Sequence, residues 1–118
     1  MDIEHARDFC LALPETTEGF PFGPDVLVFK VAGRMFATLA MDEDPARMNV
    51  KCDPDDAVRL RDEYECVEPG YHMNKRHWNT LVLDGSVVNA VVEGWIRDSW
   101  TLVARSLKKA DRVRLLGA

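Results

Sequence analysis

Three strand-like runs follow one another between Val26 and Cys52, and the turns joining them are too short to hold a crossover. The runs at 26–31 and 35–40 are rich in Val, Leu, Phe and Met and flank Ala32-Gly33-Arg34. Gly33 there supplies the positive φ that hairpin turns need. The run at 47–52 alternates, with Met48, Val50 and Cys52 facing one side and Arg47, Asn49 and Lys51 the other. Asp42-Glu43-Asp44-Pro45 reads as the turn before it. Parallel pairing would need a connection of about a dozen residues, so the three strands must pair antiparallel.

Helices bracket this unit. Asp2 caps a helix over 3–13 whose apolar positions Ile3, Ala6, Phe9, Cys10 and Leu13 fall on one face, and Pro14 stops it. Asp53-Pro54-Asp55-Asp56 opens a second helix, to about 64, in capping style rather than as a catalytic carboxylate cluster. A short strand near 66–67 and another over 79–83 follow. The last helix, over 90–107, repeats Val92, Trp95, Ile96, Ser99 and Val103 at helical spacing. Trp95 and Trp100 belong with the core and its edge. The stretch 16–25, with two prolines and two glycines, reads as a loop. Phe20 and Phe22 read as anchors of that loop on the core, with exposed stacking as the alternative.

The resulting order is α-β-β-β-α-β-β-α. It implies a single domain over 1–118 of the α+β class, with a five-stranded antiparallel sheet in two layers and helices on one face. The other face is left open to solvent or a partner. Whether Arg34 and Phe36 join that face depends on the hairpin. A three-residue turn would put Phe36 with Lys30, and a two-residue turn would separate them.

The chain of 118 residues holds 20 acidic and 15 basic residues, a net charge of −5, which argues against a nucleic-acid binder held by bulk charge. Cys10, Cys52 and Cys66 show no CxxC spacing and read as reduced structural thiols. No window approaches a membrane span, and the N-terminal residues carry neither a basic leader nor an apolar core, so the expected setting is the cytoplasm. Dinucleotide, P-loop, GxSxG and HExxH patterns are all missing. His72, His77 and Cys66 fall short of a zinc ligand set, and Cys66 with His72 or His77 is the one candidate nucleophile and base, a pair whose proximity in space the sequence leaves open. No metal, cofactor or catalytic role is therefore expected.

Residues 69–80, Pro-Gly-Tyr-His-Met-Asn-Lys-Arg-His-Trp-Asn-Thr, contain no acid. Cations, amides and aromatics interleave there as phosphate contact and base stacking would require. Lys75 and Arg76 would meet phosphate, Asn74 or Asn79 would hydrogen-bond, and Tyr71 or Trp78 would stack. Equally, Tyr71 and Trp78 could be core anchors flanking a solvated polar tip. Lys30, Arg47, Asn49 and Lys51 could extend a basic patch over the open face. The basic stretch 105–114 fits the C-terminal end of a helix dipole.

Several segments together resemble the MmcQ/YjbR family: Leu13-Pro14 with Phe20-Pro-Phe-Gly-Pro-Asp25, Asn49-Val-Lys-Cys-Asp-Pro54, Leu83-Asp-Gly85 and, most specifically, the block beginning at Pro69. The resemblance implies an α-β(3)-α-β(2)-α fold related in shape to type III secretion chaperones, together with the family's usual description as a double-wing DNA-binding protein. It brings no catalytic residues. Ala32-Gly33 stands where the family often has Gly-Gly. Two functions follow as expectations. One is a non-enzymatic DNA-binding module that uses Lys30, Arg34, Lys51, Tyr71, His72, Asn74, Lys75, Arg76, His77 and Trp78. The other is a small-ligand or protein-interaction domain centred on Tyr71, His72 and Trp78.

Overall fold

Leu27, Leu39, Met48 and Leu81 stand opposite one another on four neighbouring strands, and this row is the floor of the core. The computed structural model describes residues 1–117. Its elements are α1 (Ile3–Ala12), β1 (Thr16–Gly19), β2 (Val26–Val31), β3 (Arg34–Ala40), β4 (Ala46–Lys51), α2 (Pro54–Glu63), β5 (Val67–Pro69), β6 (Trp78–Leu83), α3 (Asn89–Arg105) and α4 (Lys109–Leu116). The strands form one antiparallel sheet in the order β1-β2-β3-β4-β6-β5.

Ala6 and Cys10 from α1, Ala57 and Leu60 from α2, and Val92, Ile96, Trp100 and Val103 from α3 all bury against that floor. Each fully buried Leu, Ile or Phe contributes roughly 1.5–3 kcal/mol, so this single cluster dominates the stability. The caps follow the sequence reading. Asp2 Oδ1 accepts the His5 N–H at 2.8 Å, and Asp53 Oδ1 accepts the Asp55 N–H at 3.1 Å. No helix among the described residues is long and apolar enough to cross a membrane.

The sheet has six strands, not five. The extra one, β1, lies inside the stretch read as a loop. It pairs only with β2, Thr16 opposite Val31 through Gly19 opposite Val28. Gly19 and the nearby prolines mask its local β signal, and what makes it a strand is the otherwise unpaired edge of β2. Arg7 on α1 also holds it, with Nε donating to Glu18 Oε2 at 2.8 Å.

The C-terminal stretch differs as well. The long helix ends at Arg105, and α4 follows after Ser106. No residue of α4 is fully buried, although Leu115 and Leu116 pack partly against the core. Arg114 pins it by bonding both Glu15 carboxylate oxygens, at 2.7 and 2.8 Å. That cation therefore belongs to a fold contact and not to a basic binding stripe.

A two-residue turn, Ala32 (φ +47°) and Gly33 (φ +85°), joins β2 to β3. Lys30 then pairs with Met35, while Phe29 pairs with Ala37, so Phe36 is an extra residue bulged out of the ladder. Phe36 is fully buried in the core together with Ala37. Arg34 pairs with Val31 and falls on the opposite side from Lys30. The bulge thus resets which face the rest of β3 presents.

A groove on the sheet face away from the helices

Past the bulge, Thr38 and Ala40 point away from the core. Pairing places Val28, Thr38, Asn49 and Thr80 in one cross-strand row, and Val26, Ala40, Arg47 and Val82 in the next. The small residues Thr38 and Ala40 occupy the middle of these rows, and larger groups rise at both sides. Phe22 stands at one side, 68% exposed, and Tyr71 at the other, 64% exposed. The Tyr71 and His72 rings lie against each other with centroids 4.0 Å apart. Floor and walls together enclose a groove of about 560 Å³. That falls within the range of about 300–1,000 Å³ usual for small-molecule clefts.

The loop that forms the second wall is built rigidly. Thr80 Oγ1 accepts the Tyr71 N–H at 2.9 Å and donates to Asn49 Oδ1 at 2.5 Å, while Asn49 Nδ2 donates to the Tyr71 carbonyl at 3.2 Å. Gly70 lies flat on Trp78, its N–H donating to the Trp78 carbonyl at 3.0 Å. At the tip, Asn74 Oδ1 accepts the Arg76 N–H at 2.9 Å, and the Asn74 carbonyl takes the Trp78 N–H at 2.9 Å. Arg61 on α2 reaches across to donate to the Lys75 carbonyl at 2.8 Å.

These contacts divide the residues singled out from the sequence. Tyr71 and His72 line the groove. Trp78 is only 8% exposed, an anchor beneath Gly70 and not a stacking platform. Lys75 turns back, its Nζ donating to the Gly70 carbonyl at 2.9 Å. Asn74 is spent on the turn, and the His77 carbonyl accepts the Cys52 N–H at 2.7 Å. Arg76 is exposed at the tip. Lys30 and Lys51 share the groove's sheet face outside its lining, and Arg34 lies on the other side.

Phe20 and Phe22 are exposed, 51% and 68%, instead of anchoring their loop on the core. Phe22 lines the groove, as do Ala40, Thr38 and Met73, none of them singled out as binding residues from the sequence. The alternation of small Thr38 and Ala40 with buried Ala37 and Leu39 is the trace they leave, and only the bulge makes it readable.

One end of the groove is acidic. Asp25, Asp42 and Glu43 line it. Arg47 is the neighbouring cation, 3.6 Å from Glu43 but bonded more closely to Glu68 at 2.7 Å. Such half-exposed pairs contribute about 0–1 kcal/mol each, so they shape the rim more than they stabilise the fold.

The thiols stand apart from this site. All three are buried and unpaired. Burial pushes Cys10 up to about 12 and Cys52 up to about 11, which leaves both protonated at neutral pH. Cys66 packs in the helix-side core, so the sheet stands between it and His72. Among the described residues no three His, Cys, Asp or Glu side chains gather as a metal site would require.

A sequence model of the YjbR family matches residues 11–102. The chain is 35% identical over 112 residues to the uncharacterized protein YbdF of Escherichia coli O157:H7, covering 95% of this chain and 92% of that one. It is 27% identical to the uncharacterized protein YjbR of Escherichia coli K12, over 98% of both. The crystal structure of Deinococcus radiodurans protein DR2400 superposes with a TM-score of 0.89 at 38% identity, over 97% of this chain and 87% of that one. A Pseudomonas syringae protein follows with a TM-score of 0.76 at 26% identity, over 86% of this chain and 98% of that one. With most of its length matched by the family model and nearly all of it by close relatives, the chain belongs to the YjbR family.

Proposed function

We propose that this protein is a non-enzymatic binding module whose site is the groove, and that it takes a small, largely apolar organic molecule. The observation that carries this reading is the groove itself, about 560 Å³ over a floor of small side chains, between aromatic walls. A sheet face meant only for solvent would gain nothing from leaving that space between raised loops, and apolar clefts with a few polar groups are the usual form of ligand sites. Asn49 and Thr80, already bonded to each other and to the loop, give the wall a fixed position and keep the ordering cost of binding low. Three unpaired thiols suit a reducing compartment, so the cytoplasm is the proposed setting.

The DNA-binding reading has less support. Of its residues, Lys75 is bonded within its own loop, Trp78 is covered, and Arg34 lies on the far side from Lys30. Carboxylates stand at the rim where a phosphate backbone would have to pass.

Fluorescence titration with 2-naphthylmethanol, a neutral aromatic probe, tests the proposal. Saturable binding is expected, weakened at least about tenfold by Thr38→Phe and by Ala40→Leu, each of which fills the floor. Unchanged affinity in two folded variants would overturn it. So would tighter, salt-sensitive binding of a labelled DNA duplex that Arg76→Ala weakens, because phosphate contacts release counterions.

A further inference from the structure

We infer that the loop carrying Phe22 closes over the groove and clamps a flat aromatic ring between Phe22 and Tyr71. The inference rests on the groove reading above and adds the shape of what fills it and the wall that moves.

The first observation is that the two walls are built differently. The Tyr71 wall is tied to the sheet at three points, through Thr80, Asn49 and Trp78. The opposite wall is the loop 20–25 between β1 and β2, and all of its residues but Gly23 are exposed. Within it the Gly23 N–H reaches the Phe20 carbonyl at 3.4 Å, beyond the usual range for a peptide hydrogen bond. Its firm ties are at its ends. Gly19 pairs with Val28, and the Asp25 carbonyl accepts the Met41 N–H at 2.8 Å. Phe22 thus stands at the tip of a strap held at both ends, facing a wall that is braced along its length.

The second observation is the state of the two rings. Phe22 is 68% exposed and Tyr71 64%, so neither covers the other or the floor between them. The walls rise beside β2 and β6, three ladder spacings or about 14 Å apart. A flat ring touching an aromatic on each face needs those partners about 7–8 Å apart. A rigid groove would hold such a ring against one wall only, and closure of the strap supplies the second contact. Closure also takes the Phe22 ring out of water, which drives it.

The third is Gly19, the strand residue from which the strap springs. A Cβ there would meet no atom within 4 Å, and its φ lies outside the left-handed region. Nothing in the open conformation calls for glycine at this point, and glycine weakens a strand. A dihedral change at Gly19, with Gly23 (φ +110°) yielding at the tip, is what swinging Phe22 inward requires. Tyr71, packed on His72 with centroids 4.0 Å apart, is the fixed jaw. Stacking on both faces favours planar aromatic bodies over saturated ones of similar outline.

Titration with 2-naphthylmethanol and with its saturated counterpart, decahydro-2-naphthylmethanol, separates a clamp from a rigid groove. The naphthyl probe should bind at least about tenfold more tightly than the saturated one. Phe22→Ala should remove most of that preference and leave the melting temperature unchanged, because Phe22 lies outside the core. In the complex, nuclear Overhauser contacts should join the naphthyl protons to both the Phe22 and the Tyr71 rings. The amides of Gly19 and Gly23, which lie outside the groove lining, should shift as the probe saturates. Equal affinity for the two probes, a preference unchanged by Phe22→Ala, contacts to Tyr71 alone, or unmoved glycine amides would overturn the clamp while the groove stands. If neither probe binds, both readings fall.

Discussion

A Cβ added to Gly70 would lie 2.8 Å from the Cβ of Trp78 and 2.9 Å from its carbonyl oxygen. The backbone of the groove's outer wall therefore rests directly on the strand below, with no room for even a methyl group. Trp78 is buried by that contact, and the next residue along, Tyr71, is carried out over the groove.

Gly70→Ala should consequently cost about 1–3 kcal/mol through overpacking against backbone. The damage should centre on the wall, with Tyr71 and His72 losing their fixed positions before the helix-side core is affected. Urea unfolding measures the first effect. Hydrogen exchange at the Tyr71 N–H, bonded to Thr80, measures the second.

A second relationship supports the bulge that sets the groove floor. The buried Ser99 hydroxyl on α3 donates to the Phe36 carbonyl at 2.6 Å and accepts the Lys51 N–H at 2.8 Å. It thereby satisfies the bulged residue on β3 and the end of β4. Ser99→Ala should leave both groups unpaired and cost about 1–3 kcal/mol. Thr101→Ala on the same helix, whose hydroxyl only bonds back to the Arg97 carbonyl, should stay within about 0.5 kcal/mol. Equal losses in the two variants would remove this role for Ser99.

Much of this was legible in advance, and the rest was hidden for physical reasons. The capping aspartates, the hairpin turn at Gly33 and the apolar stripe of α3 are local signals, each carried by one or two residues whose chemistry admits few alternatives. The edge strand β1 forms because β2 offers it a partner, and α4 stays in place through Arg114 and Glu15, two residues at opposite ends of the chain. Neither leaves a local trace. The candidate site was half visible. The acid-free segment did contain Tyr71 and His72, but Lys75 beside them is consumed by a contact at Gly70, and Asn74 by the Arg76 backbone N–H, which no spacing rule reveals. Thr38 and Ala40 were silent because their facing depends on a bulge one residue long.

The ion pairs that tie β1 and α4 make a prediction about pH. The hydrogen bonds from Arg7 to Glu18 and from Arg114 to Glu15 hold both carboxyls below their ordinary range. A carboxyl depressed in the folded state stabilises above its unfolded pKa of about 4.3, and the contribution is lost as pH falls through the folded value. Melting temperature should therefore decline below about pH 4.5. Glu15→Gln with Glu18→Gln should lower the melting temperature above about pH 5 and so make that decline shallower. An identical acid slope in the double variant would show that other carboxyls control it.

The most direct measurement of the central claim is where a ligand lands. Backbone amide spectra collected during titration with 2-naphthylmethanol should shift at Thr38, Ala40, Asn49, Tyr71 and His72. Ala57 on α2 and Ile96 on α3, across the sheet, should stay still. Shifts confined to those helices, or spread along Arg76, Lys30 and Lys51 with the groove residues unmoved, would contradict the account.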